Sequence, residues 1–227
     1  PYAGAWLNAV PSHAPFRIHT WQTRHHDVLV ELVKRMRSVW GAAVEYEPKD
    51  YKDYSDTRPD VAMHMAEGLT LGDTKVFDDV GSDPASVGVR GAFVAMGNVL
   101  PGAREKVLGR EERGVGQGMW RASTGMGHVS KVVGQYDRAK GICREVLVLL
   151  FSTFGGFGPD VEELIRRAAD ERGNKLRGAE WDDTTWSART WSSYTCMRLS
   201  CVLMRAVAWE MATAMSLTRV RDSRDDL

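Results

Sequence analysis

The chain has 227 residues, of which 43% are apolar and 26% charged; its 30 basic and 30 acidic side chains give a formal net charge of zero. That composition belongs to a globular protein with ample material for a core and excludes the disordered and fibrous classes, while balanced charge leaves any nucleic-acid partner to local patches. No run of eighteen apolar residues is present to span a membrane, and Cys143, Cys196 and Cys201 show neither paired metal spacing nor an even count, which predicts a reducing compartment.

Residues 1–22 are expected to form an irregular lead-in, with Pro1, Pro11 and Pro15 and only Ala5-Trp6-Leu7 as an apolar run. From Thr23 to Trp40 the apolar Val28, Leu29, Leu32, Val33, Met36 and Trp40 recur at helical spacing, with Thr23 as N-cap and Gly41 as stop. Glu31 falls off that stripe, so it is either a surface residue or an acid that the helix lends to a metal site. Arg24, Lys34, Arg35 and Arg37 form a basic side, solvated or in contact with phosphates. The neighbouring His25 and His26 cannot both face one ion from a helix, which favours capping or surface positions for them over ligand roles.

A short strand over Ala42–Glu47 follows, with Glu45 and Glu47 on one face toward water, and then a polar loop containing Pro48, Asp50, Asp53 and Asp56. Next come two alternating segments, Asp60–Met65 and Leu69–Phe77, joined at Glu67-Gly68 as a hairpin. Residues i and i+2 of a strand share a face, so Asp73 and Lys75 project together, and the neighbouring strand can bring Asp60 beside them. Two carboxylates at one point are costly unless a cation joins them, and Mg²⁺ favours one or two carboxylates with water and phosphate oxygens. Such a set suits metal-assisted phosphodiester hydrolysis, with Lys75 holding the attacking water or the scissile phosphate. The plainer alternative is a strand edge kept soluble by its charges.

Residues 78–127 are Gly-rich, carry Pro84 and Pro101, and hint at regular structure only over Ala92–Met96 and Ala103–Leu108, as an insertion would. Val129–Ile142 is predicted to be a modest helix, and the apolar run Glu145–Phe151 a buried strand. Thr153–Pro159 is a turn whose glycines make a tight reversal, or a phosphate cradle before the helix Asp160–Arg172. A long helix from Thr185 to about Leu217 is apolar on most sides and requires cover. Trp181, Trp186 and Trp191 recur every five residues, on no single helical face, and suit packing better than base stacking.

Pro59-Asp60, twelve intervening residues and Asp73-Thr74-Lys75 at a strand end resemble the PD-(D/E)xK nuclease superfamily, and the element order resembles its αβββαβ core. More narrowly, Gly4–Pro11, the segment His19 with Thr23-Arg24-His25-His26, and Thr153-Phe154-Gly155-Gly156-Phe157-Gly158-Pro159 resemble the restriction-like endonuclease domain of site-specific non-LTR retrotransposons. The resemblance implies an α/β, restriction-endonuclease-like mixed sheet flanked by helices over residues 23–173, with the insertion at 78–127 and extra C-terminal helices over 174–227. It implies a metal-dependent DNA endonuclease in which Asp60 and Asp73 hold Mg²⁺ or Mn²⁺, Lys75 positions the nucleophile, Glu31 assists, and Arg24, Arg35 and Lys131 contact DNA. It also implies a reverse transcriptase in the same polyprotein, nuclear action and no membrane partner; a catalytically inactive remnant or a stand-alone repair nuclease are the rival readings. Two departures stand out: no Cys precedes Cys143 to build the zinc knuckle common in relatives, so no zinc site is expected. Many relatives also move the lysine to the following helix, where Lys131 and Tyr136 would lie, whereas here Lys75 keeps the usual position.

Overall fold

The sequence's longest apolar strand segment lies at the edge of a four-stranded mixed sheet ordered β1-β2-β3-β6, in a computed structural model that describes residues 16–51, 58–77, 89–113, 129–139, 141–153, 155–184 and 188–225. The elements are α1 (Phe16–Trp40), β1 (Val44–Tyr46), β2 (Val61–Met65), β3 (Gly68–Phe77), α2 (Val89–Leu108), β4 (Arg110–Arg113), β5 (Val129–Val132), β6 (Glu145–Ser152), α3 (Pro159–Arg172), α4 (Gly178–Asp183) and α5 (Trp191–Asp225). β1 pairs antiparallel with β2 and β2 antiparallel with β3, while β6 runs parallel to β3 from Thr70↔Glu145 to Phe77↔Ser152. The chain is therefore α/β, with helices packed on a mixed sheet.

Both faces of the sheet are covered, which is why β6 is apolar without alternation. On one face Leu147, Leu149 and Phe151 pack with Val28, Leu29, Leu32 and Met36 of α1, Val161 and Leu164 of α3, and Leu199 and Leu203 of α5. On the other, Val148 and Leu71 pack with Val107 of α2 and with Tyr136, Ala139 and Cys143. Each such aliphatic side chain contributes about 1.5–3 kcal/mol by leaving water. α3 starts with Gly158 as N-cap and Pro159 in its first turn, and stops at Gly173 in the left-handed region (φ 74°).

Four expectations change. The Gly-rich segment holds a 20-residue helix, α2, with Pro101 inside it, where two short pieces are expected; proline removes one helical hydrogen bond and the glycines dilute the pattern, so the periodicity is faint. The helix expected over Val129–Ile142 is instead strand β5, paired with β4, followed by the turn at Gly134 and a 3₁₀ turn at Asp137–Ala139. The β-branched Val129 and Val132 favour the strand, and Gly134 ends it. The C-terminal helix starts at Trp191, after the separate α4, and runs on to Asp225. Trp191 is buried and Trp181 exposed. The first helix also starts earlier than Thr23: residues 16–22, expected in the irregular lead-in, belong to α1, which begins at Phe16, and Ile18 and Trp21 carry the three- and four-residue spacing back from His25 and Val28. Residues 1–15, 52–57, 78–88, 114–128 and Trp186 lie outside the described residues, and with them the rest of the lead-in and most of the polar loop.

The Thr153–Pro159 turn is a reversal built by the main chain. Gly155 N–H donates to Ser152 O, Ser152 N–H to Gly156 O and Gly158 N–H to Leu150 O, at 2.8–2.9 Å. Gly155 also lies against Ser200 of α5, whose hydroxyl donates to the Gly155 carbonyl at 3.2 Å.

Among the described glycines, Gly134 makes the tightest approach. A Cβ there would stand 2.2 Å from Gly109 N and 2.4 Å from Leu108 C, at the point where Gln135 and Tyr136 N–H donate to the Lys106 and Val107 carbonyls at 3.0 Å. Gly134→Ala therefore has to push backbone apart and is expected to cost about 1–3 kcal/mol in chemical denaturation, with faster hydrogen exchange at the Tyr136 amide; an unchanged midpoint and unchanged exchange would refute this docking.

Candidate active site

β3 is ten residues long and β2 only five, so β3 runs past its neighbour. Asp60 sits at that point. Its N–H donates to Gly72 O at 3.1 Å and its carbonyl accepts from Glu47 N–H at 2.8 Å, so its backbone is fixed between the exit of β1 and β3. Beyond it the main-chain groups of Thr74 meet side chains: Thr74 N–H donates to Asp60 Oδ2 at 2.6 Å, and His25 Nε2 lies 3.2 Å from Thr74 O and 3.2 Å from the same Asp60 oxygen. Both of those oxygens are acceptors, so the Nε2 that lies between them carries a proton. The hydrogen bond to Asp60 is the main reason the His25 imidazole holds its proton above its ordinary value, against the opposing effect of burial.

Asp73 approaches from the face that carries Leu71 and Tyr136. It is 4% exposed; Lys75 Nζ stands 2.5 Å from its Oδ2, and the Tyr136 hydroxyl donates to Oδ1 at 3.3 Å. Burial pushes the Asp73 carboxyl up, Lys75 pulls it down, and the charge of Asp60 adds to the upward push. The acids of the two strands thus feel each other, as the hairpin pattern predicts, and Lys75 lies with Asp73.

This donor set fits a divalent cation in chemistry: the Asp60 carboxylate and the Thr74 carbonyl present hard oxygens at one point, and Asp73 adds negative charge beside them. Asp73 has its own oxygens engaged by Lys75 and Tyr136. Consistent with that, no group of three or more His, Cys, Asp or Glu side chains suited to hold a metal occurs among the described residues.

A second polar ring flanks Asp60. Tyr46 hydroxyl lies 2.8 Å from His26 Nδ1 and donates to Glu47 Oε1 at 3.2 Å, and Glu47 in turn pairs with Arg58, two residues before Asp60. Glu47 adopts φ 41°, a left-handed conformation costing a non-glycine residue on the order of 1 kcal/mol or more. Glu45 pairs instead with His64 at 2.9 Å, between β1 and β2.

Four expected site residues stand elsewhere. Glu31 is buried, not exposed, and its Oε1 lies 3.1 Å from Arg35 Nε and 3.4 Å from Arg198 Nε of α5. Arg35 is buried under the Tyr194 ring, 5.2 Å from its centroid, and Arg24 Nε lies 2.8 Å from Glu210 Oε1. These guanidinium groups join α1 to α5 and are not presented to DNA, because a buried charge requires its partner. Lys131 lies on β5, not on a helix. The residues that the sequence undervalued are His25, which stands three and four residues before Val28 and Leu29 and so continues the apolar stripe, and the Thr74 carbonyl, which no side-chain pattern can reveal.

Comparison with protein-family models, curated proteins and solved structures returned no match to this chain. No helix among the described residues is long and apolar enough to cross a membrane.

Removing Glu31 separates architecture from chemistry. Glu31→Ala leaves the buried Arg35 without its carboxylate and is expected to lower unfolding stability by about 3–5 kcal/mol, read by denaturant titration. A loss below about 1 kcal/mol, the range of exposed pairs, would show that the pair is solvated and the helix contact loose.

Proposed function

We propose that this chain is a metal-dependent DNA endonuclease domain of PD-(D/E)xK type. The observation that carries the reading is the contact of Lys75 Nζ with Asp73 Oδ2 at 2.5 Å, beside an Asp60 carboxylate anchored on the very next residue of the same strand, Thr74. An acid, an acid and a lysine meet at the end of two adjoining strands, in the spacing that the motif requires. The succession of a helix, three strands, a helix and a strand through β6 supports a restriction-endonuclease-like αβββαβ core, although α2 supplies the helix and the β4–β5 ribbon is additional.

In the reaction, Asp60 and Asp73 would hold Mg²⁺ or Mn²⁺, and the ion when bound supplies a water acidified enough to attack phosphorus. Lys75, 28% exposed at its side chain, is open enough to donate to that water or to a phosphate oxygen. Asp73 keeps the Lys75 ammonium aimed, and Tyr136 fixes the opposite oxygen of Asp73. Asp60 keeps one oxygen on Thr74 N–H, which sets the orientation of its carboxylate. Within a retrotransposon polyprotein, in the nucleus and beside a reverse transcriptase, a nick made this way would free the 3′ hydroxyl that primes synthesis.

A non-catalytic DNA-binding or interaction remnant is the second reading, favoured by the burial of Asp73 and the engagement of both its oxygens. Supercoiled plasmid with Mg²⁺ or Mn²⁺ distinguishes the two. Wild type is expected to nick, and Asp60→Ala, Asp73→Ala and Lys75→Ala each to lose about 10²-fold or more in rate. Nicking that survives all three substitutions would remove the site assignment, and no nicking with either ion would leave the remnant.

A further inference from the structure

The metal reading leaves His25 unassigned, although its Nε2 is directed at the two oxygens best placed to take a cation. We infer that His25 is itself a metal ligand: Nε2, Asp60 Oδ2 and the Thr74 carbonyl oxygen supply three ligands of a six-coordinate site, selective for Mn²⁺ or a similar transition ion over Mg²⁺. This rests on the metal-dependent reading and deepens it.

The argument is one of distances. Two ligands at right angles, each about 2.1–2.2 Å from an ion, stand about 3.0–3.1 Å apart. The separations of His25 Nε2 from Asp60 Oδ2 and from Thr74 O are both 3.2 Å. An ion can therefore take the place of the shared proton with little movement of these groups. Binding requires the Nε2 lone pair, so that proton departs to solvent as the ion enters. The neighbourhood suits a cation, since the Asp60 carboxylate is in contact and the Asp73 charge acts from the next position on β3. His25 and Asp60 side chains are 19% and 17% exposed, which leaves a route from solvent. One ligand is a main-chain oxygen, so the set does not form a cluster of three acidic, histidine or cysteine side chains.

Imidazole nitrogen suits Mn²⁺, Fe²⁺, Co²⁺ or Zn²⁺, whereas Mg²⁺ favours oxygen. His25 thus sets the metal preference of the site. The rival account of the same contacts is a purely structural hydrogen bond from a protonated ring, and Gln separates the two. The Gln side chain carries an N–H donor at a similar reach but no nitrogen lone pair for a metal.

The test is calorimetric titration of the full chain with Mn²⁺ and with Mg²⁺, for wild type, His25→Gln and Asp60→Ala, with circular dichroism and a thermal melt as controls on folding. Wild type is expected to bind Mn²⁺ about tenfold or more tighter than Mg²⁺. His25→Gln is expected to lose about 10–100-fold in Mn²⁺ affinity while its Mg²⁺ affinity changes little. Pulsed EPR of the Mn²⁺-loaded wild type should show imidazole nitrogen modulations, which vanish in His25→Gln. Wild-type Mn²⁺ binding without those modulations, or equal Mn²⁺ affinity in a folded His25→Gln, overturns the ligand role and leaves His25 a hydrogen-bonding residue. The metal reading itself fails in a different way: wild type binds neither ion, or Asp60→Ala binds both unchanged. The EPR measurement needs wild type alone, so it decides the question even where His25→Gln does not fold.

Discussion

A strand that outruns its neighbour leaves main-chain groups facing nothing, and a half-buried N–H or C=O without a partner costs on the order of 1–3 kcal/mol. Thr74 is that point in this protein. β2 begins only at Val61, opposite Gly72, so beyond that point β3 continues to Phe77 with β6 beside it, and the open side of Thr74 is satisfied by one carboxylate and one imidazole. The chemistry of the site is thus inseparable from the termination of a hydrogen-bond ladder. Asp60 has to be an acceptor on a short side chain and His25 a donor reaching from α1, and those two demands bring the helix layer, the sheet edge and the Asp73–Lys75 pair to one place.

Holding α1 in that position is the work of a charged seam. The Glu31 carboxylate with Arg35 and Arg198, and Arg24 with Glu210, tie α1 to α5 at points where the aliphatic contacts of Leu199, Val202, Leu203 and Ala206 also meet the core. Burying charges is costly unless each finds its partner, so such pairs fix the register of two helices more than they add to stability. If α5 shifted by one helical turn, Arg198 and Glu210 would leave their partners together. The imidazole of His25 is then aimed by a helix whose rotation and height are set by Arg24, Glu31 and Arg35, one, six and ten residues along α1 from it, with Arg198 and Glu210 of α5 as their partners.

What could be seen in the sequence follows from periodicity. Alternation placed Asp73 and Lys75 on one face of β3 and turned at Glu67-Gly68, and the structure has that hairpin with its lysine on its acid. Helical spacing located the body of α1, and a continuous apolar run located β6. The misjudged parts share a cause, which is cover from more than one side. A helical wheel for α1 with one apolar stripe puts Glu31 in water, yet α1 is packed on the sheet by one side and on α5 by another, so polar residues off the stripe are buried as ion pairs. Pro101 and scattered glycines hid α2, whose one buried residue of the described side chains, Val107, gives almost no stripe to detect. The partner of His25 is thirty-five residues distant and one of its acceptors is a carbonyl, which carries no signature in the order of side chains.

The overhang of β3 gives Asp60 two separate obligations. One belongs to the proposed reaction; the other is only to quiet a bare sheet edge, which would otherwise be a template for pairing with another chain. Lys75 has no such second duty, being part exposed and bonded only by way of its charge. If the proposed reaction belongs to this chain, a descendant that lost it would be free to drift at Lys75 while selection for the fold kept Asp60 where it is. In such descendants, retention of the first aspartate would accordingly say little about activity, and the fate of the lysine would be the informative scar.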